Sequence, residues 1–144
     1  MSHHRVLAIL LAEGRYILQL RDNKPEITAP GMWGLFGGGV NPGESPDEAI
    51  QREIEEELCI CPTGVRFLWN FQTEGDHIAP PGHYWVYEAD ITNLWGHHRL
   101  TEGQDAAHFS FIECKFLNTP QLIRSVLERY EHEIARAHCI DDHE

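Results

Sequence analysis

The sequence predicts an α/β fold, a mixed β-sheet with helices on both of its faces. Three observations carry this expectation. Apolar-rich runs of strand length recur at residues 6–11, 15–20, 63–73 and 83–91. One strongly signalled helix interrupts them near residue 45, and a second amphipathic helix follows them near residue 120. Strands, helix, more strands and a closing helix bury a sheet between helical layers. A single domain over residues 1–144 is expected, since a chain of this length can bury roughly 70% of its unfolded surface.

The elements follow in order. Residues 6–11 and 15–20 are separated by Glu13-Gly14, a hairpin signal. Residues 22–31 hold two prolines and a glycine and read as a loop, and 33–40 form a compact glycine-laden stretch. The first helix opens with Ser45 as cap, Pro46 in its first position and Glu48 three after the cap, and runs to about Leu58. Residues 63–73 and 83–91 are rich in aromatic and β-branched side chains and read as strands joined by 74–82. A further short strand is expected at 107–112. The second helix opens at Thr119-Pro120 and carries Leu122, Ile123, Val126, Leu127, Tyr130 and Ile134 at helical spacing.

Composition narrows the functional classes. Eleven Lys and Arg against 23 Asp and Glu, a net charge of −12, leave no basic footprint for a nucleic acid polymer. A small polyanion could bind, but only with cations in the site. No apolar run approaches the ~20 residues that cross a bilayer, and the longest, 6–12, lacks signal-peptide flanks. A cytoplasmic protein without membrane partners is expected. Cys59, Cys61, Cys114 and Cys139 do not form C-x-x-C pairs and read as reduced, buried structural thiols. His3-His4 and His97-His98 are adjacent pairs, poorly placed to share one metal, and read as exposed polar groups.

The chemistry concentrates in the first helix. Ile50, Ile54 and Leu58 form its apolar stripe, while Glu53, Glu56 and Glu57, at i, i+3 and i+4, share an adjoining face. Glu48, Arg52 and Glu55 occupy the remaining side, where Arg52 can pair with Glu48 or Glu56. Three carboxylates on one patch repel, and they sit toward the wrong end of the macrodipole. Hard divalent cations are the natural compensation, because Mg²⁺ is often held by a few carboxylates plus substrate phosphates. On an arbitrary helix such a patch is more often a solvated acidic face. Here residues 37–44, Gly-Gly-Gly-Val-Asn-Pro-Gly-Glu, lead directly into the cap, and their glycines permit close backbone approach. Neither G-x-G-x-x-G nor Gly-Lys-Ser/Thr is present, which excludes Rossmann and P-loop readings.

This constellation resembles the Nudix box, G-x5-E-x7-R-E-U-x-E-E-x-G-U with U bulky and aliphatic. It falls on Gly38, Glu44, Arg52, Glu53, Ile54, Glu56, Glu57, Cys59 and Ile60; eight of the nine positions match, and Cys59 replaces the final glycine. The flanking hairpin, the Trp33-Gly34-Leu35-Phe36-Gly37-Gly38 entry and the closing helix are also similar to that family. The resemblance implies a Nudix-type α/β/α sandwich and a Mg²⁺-dependent hydrolase, with Mn²⁺ as a substitute. Its substrate would be a nucleoside diphosphate linked to another moiety. Glu53, Glu56 and Glu57 would be catalytic and hold the metal with a carbonyl near Gly38, and Arg52 and Glu44 would brace loop against helix. Glu102, in a later loop, would be a further ligand or the general base. The box leaves open which glutamate is the base.

Two contacts are read from residue chemistry. Arg21, at the end of the second strand, offers a fork for phosphate, although a surface charge is an equal reading. Trp33 offers a stacking face for a base, although a buried loop anchor is at least as good a reading. Tyr84, Trp85 and Trp69 read as core or sheet-face aromatics. Gly75 and Asp76 stand where ADP-ribose pyrophosphatases have a proline, and His77 where diadenosine polyphosphate hydrolases have a tyrosine. A nucleoside triphosphate or a nucleotide sugar remains. The rival readings are a catalytically silent nucleotide sensor of the same fold and a structural cation-binding or protein-interaction module. The second helix leaves room for a homodimer.

Overall fold

The computed structural model describes residues 3–100, 103 and 105–135. Its centre is strand β1 (His4–Ala12), whose apolar run is buried on both faces, as a strand between two helical layers must be. Glu13 (φ 52°) and Gly14 (φ 77°) turn the chain, and Ala12 pairs with Arg15 at the start of β2 (Arg15–Leu20). Two consecutive positive φ angles make this the hairpin turn whose twist matches the strands. Strands β3 (Trp33–Gly34) and β4 (Phe36–Gly39) follow, then helix α1 (Pro46–Leu58), β5 (Arg66–Thr73), β6 (Gly82–Asp90) and β7 (Asp105–Phe109). Helices α2 (Phe111–Cys114) and α3 (Gln121–Tyr130) close the described chain, α3 continuing as a π-type turn over Glu131–Ala135.

The sheet is mixed, in the order β3-β2-β1-β6-β5, with β4 added to β1 and β7 to β2. β1 runs parallel to β6 from His4 to Leu11. Along its other edge β1 changes partner, pairing with β4 over Arg5–Ala8 and with β2 over Leu10–Ala12. Strand alternation then sorts the core into two layers. Val6, Ala8 and Leu10 pack with Ile50, Ile54 and Leu58 of α1. Leu7 and Ile9 face the other way, packing with Tyr84, Val86 and with Ile123, Val126 and Leu127 of α3. This is the expected α/β sandwich with helices on both faces.

Several boundaries differ from expectation. The strand expected at 107–112 ends at Phe109, because the Ser110 hydroxyl accepts from the Glu113 amide and the Glu113 carboxylate accepts from the Ser110 amide. That reciprocal cap starts a helix where a strand would continue. α3 takes Pro120 as its cap with no side-chain hydrogen bond, and Thr119 is buried. Of the cysteines, Cys114 is buried as expected, whereas Cys59 and Cys61 are exposed thiols just past α1, and Cys139 lies outside the described residues. His98 is not a free surface imidazole. It is half-buried, stacks on Trp95 at 4.1 Å between centroids, and its Nδ1 accepts from the Gly96 amide.

Candidate active site

The site is built where α1 crosses the glycine strand. Ser45 caps α1 through the Glu48 amide, and the Glu48 carboxylate returns the bond to the Ser45 amide. Glu48 is therefore occupied at the cap, and Arg52 turns elsewhere. Its guanidinium grips Glu44 with two bonds, Nε to Oε2 at 2.8 Å and Nη2 to Oε1 at 3.0 Å. Nη2 also donates to the Gly39 carbonyl at 2.9 Å, and Nη1 to Glu53 at 2.9 Å and to Glu56 at 3.1 Å. One side chain thus ties the loop, the glycine strand and two of the three carboxylates together, as a planar five-donor fork can and an ammonium cannot. Arg52 first, and then the Asn41 amide, holds the Glu44 carboxyl below its usual range.

Glu57 stands apart from the surface, 2% exposed on the core-facing side of α1 beside Ile54 and Leu58. Burying a carboxylate near two others is costly unless cations or donors offset the charge. Gly38 supplies room for this cluster. A Cβ there would lie 2.5 Å from Glu53 Oε1, so the Glu53 carboxylate occupies space that any other residue would fill. Among the described residues no three His, Cys, Asp or Glu side chains converge tightly enough to hold a metal ion. Nevertheless the donors fit a hard divalent cation in kind: carboxylate oxygens on one helix face, packed on a backbone cradle, with one carboxylate buried. Glu53 and Glu56 are turned to Arg52 rather than to each other.

The carboxylates open into a cleft of about 580 Å³. The strand of small residues Gly37 and Gly38 forms part of its wall, so the cleft passes from Glu53, Glu56 and Glu57 to the sheet face beneath α3. There its walls are apolar: Leu7, Leu35, Ile78, Tyr84, Leu122 and Ile123. The cations that line it are Arg5 and Arg21. Arg21 Nε donates to the Thr28 carbonyl at 2.6 Å, which braces the loop after β2 and holds the guanidinium at the wall.

Of the residues singled out in the sequence, Gly38, Glu53, Glu56, Glu57 and Arg21 meet in this cleft, and Arg52 and Glu44 stand behind it. Trp33 does not line it. Its ring meets Phe109 edge-on at 4.9 Å and packs with the core beneath α3; its placement is that of a core anchor. Glu102 lies outside the described residues. Sequence reasoning missed Arg5, Gln19 and the double role of Tyr84, which is buried at 3% yet forms cleft wall. For Arg5 a signal existed: it shares the strand period of Leu7 and Ile9, a charge on an otherwise apolar face.

Comparison with known proteins agrees with this geometry. A family model described as the NUDIX domain matches residues 1–136. A nucleoside triphosphatase, NudI, of Salmonella arizonae is 46% identical over 54 residues, 37% of this chain and 37% of the relative. The chain thus spans little more than a third of the length of the curated relatives it matches. Among solved structures, the MutT protein of Methanosarcina mazei superposes with a TM-score of 0.72 at 25% identity, covering 92% of this chain and 94% of that one. The Nudix domain of Shewanella oneidensis NrtR, solved in complex with ADP ribose, gives a TM-score of 0.76 over 93% of this chain and 89% of that one; at 17% identity it shares the fold.

Proposed function

The chain belongs to the Nudix family, and on that premise we propose that it is a Mg²⁺-dependent hydrolase of a nucleoside diphosphate linked to another group. Nucleoside triphosphates are the first substrate class, with nucleotide sugars as the second. The observation that carries this reading is the acidic face of α1, Glu53, Glu56 and Glu57, with Glu53 packed on Gly38 and all three lining a cleft large enough for a nucleotide.

Glu53, Glu56 and Glu57 would hold the metal, with a backbone carbonyl near Gly38 as a further oxygen donor. When bound, Mg²⁺ neutralises phosphate oxygens and lowers the pKa of the attacking water. The protein's own residues do the rest. Arg52, kept charged by Glu44, holds the helix against the loop, so that the three carboxylates share one fixed frame. One α1 carboxylate accepts the proton of the water that attacks phosphorus. Arg21 faces the cleft and contacts a phosphate that the carboxylates alone would repel. The apolar walls beneath α3 hold the nucleoside end and exclude water from it.

The test is a panel of ribo- and deoxynucleoside triphosphates and nucleotide sugars, incubated with and without Mg²⁺, with products separated by chromatography. Release of a nucleoside monophosphate that requires Mg²⁺, and a loss of roughly 100-fold or more in Glu57→Gln, is the expected result. Tight nucleotide binding with no turnover anywhere in the panel would identify a silent sensor instead.

A further inference from the structure

We propose that Arg5 is a specificity-determining residue of the cleft and selects nucleobases that carry a ring carbonyl (guanine, uracil, thymine or cytosine) over adenine. This rests on the reading of the cleft as a nucleotide site.

Arg5 occupies a strand position flanked on both sides. Its backbone pairs with Gly39 of β4 and with Tyr84 of β6. Alternation along β1 puts its side chain on the face of Leu7 and Ile9, beneath α3, opposite to the face that α1 covers. Its strand neighbour Gly39 has no side chain to cover it, and a Cβ built there meets nothing within 4 Å. On the other side Tyr84 is buried at 3%, stacked on Phe71 at 5.2 Å and donating its hydroxyl to the Pro80 carbonyl at 2.6 Å. The tyrosine hydroxyl is spent on the backbone, so Tyr84 offers the cleft a ring face rather than a polar group. Arg5 is thus a cation among the apolar residues that line the cleft.

The Arg5 Nε is buried, and among the described residues it has no hydrogen-bond partner. A buried guanidinium N–H without an acceptor costs free energy that its surroundings do not return. A ligand bound in the cleft that Arg5 lines is one source of the missing acceptor. The phosphates are not the best candidate, since the glycine strand, the α1 carboxylates and Arg21 already define the polar end. What lies against Leu7, Leu35, Tyr84 and Ile123 is the base. A guanidinium donates from adjacent N–H groups and accepts nothing, so it rewards a base edge that offers a carbonyl acceptor. Guanine presents O6 beside N7, and the pyrimidines present O2 or O4. Adenine places its N6 amino donor beside N7, which a donor-only fork repels.

Calorimetric titration of the Mg²⁺-loaded protein with GMP, UMP and AMP tests this without requiring turnover. In the wild type GMP or UMP should bind at least several-fold more tightly than AMP. In Arg5→Leu that ratio should fall by roughly 5- to 150-fold, the span of one good guanidinium–base contact. Arg5→Lys, which keeps the charge but loses the fork, should fall in the same direction. Thermal unfolding of each variant establishes that β1 is intact, and a variant that fails to fold is replaced by Arg5→Gln. An equal loss for all three nucleotides in Arg5→Leu, restored by Arg5→Lys, would assign Arg5 to phosphate and overturn the proposal. Equal affinity for AMP and GMP in the wild type would overturn it as well. If the monophosphates bind selectively but no triphosphate is hydrolysed, the hydrolase reading fails while the base selectivity stands.

Discussion

At the residue scale the candidate site depends on one guanidinium. Arg52 engages Glu44, Glu53, Glu56 and the Gly39 carbonyl together, and two of these contacts form a fork-to-fork pair with Glu44. Such a pair contributes more through geometry than through charge, since it is partly solvated and screened. Its effect on stability has a definite pH dependence. Glu44 is held below its usual value of 4.5 in the folded state, chiefly by Arg52. A carboxyl lowered on folding stabilises the fold above its unfolded value, and that contribution fades as pH falls through the lowered one. Urea unfolding of wild type and Glu44→Gln should therefore differ most at about pH 7 and converge as pH falls below about 4. A difference that stays constant across that range would mean the pair acts through packing alone. Sequence pattern predicted the pairing of Arg52 with Glu56 and, by resemblance, with Glu44. It missed that Glu48 is unavailable, because its carboxylate closes the capping box.

At the scale of elements the exit of α1 is unusual. The helix ends at Cys59, φ 57° and ψ 37°, whose amide donates to the Glu55 carbonyl. A left-handed C-terminal residue is ordinarily glycine, since a Cβ in that conformation costs roughly 1–2 kcal/mol. The departure of the sequence from the box leaves the local backbone in the left-handed conformation that a glycine there favours. Cys59→Gly should therefore stabilise the protein by about 1 kcal/mol and raise Tm by roughly 2–5 °C, with α1 and its carboxylates undisturbed. A fall in Tm by scanning calorimetry would show that the thiol makes a compensating contact. The Leu58 carbonyl at this exit accepts from the Arg99 amide at 2.8 Å, which ties Arg99 to the end of α1. Nothing in the sequence around Arg99 announces that contact.

For the whole molecule the consequence of an acidic site in a chain of net charge −12 is linkage. A cation that binds only the folded state raises stability by RT ln(1 + [L]/Kd), about 2.7 kcal/mol at 100 times Kd. Adding Mg²⁺ should therefore raise Tm by several degrees in the wild type and by much less in the Glu53→Gln, Glu57→Gln double variant. Equal shifts in both proteins would place the cation elsewhere on this acidic surface. The same experiment with Ca²⁺ in place of Mg²⁺ reports how closely the cluster suits the smaller ion.

What the sequence determined by itself is local. The capping box of α1, the Glu13-Gly14 turn, the apolar stripe of each long helix and the acidic face at i, i+3 and i+4 are short-range patterns that any tertiary context must accept. The family resemblance likewise rests on residues within 23 positions of one another, Gly38 to Ile60. Tertiary structure decided what depends on distant chain segments meeting. Pairing of β1 with β4 sets Gly37 and Gly38 beside Val6 and Leu7, and all four line the cleft. Packing set Trp33 edge-on against Phe109, and stacked His98 on Trp95. Register placed Arg5 beside Tyr84, 79 positions away in the chain, under α3. A side chain's face can be read from periodicity, but whether that face meets core, solvent or ligand depends on partners that the local pattern does not contain.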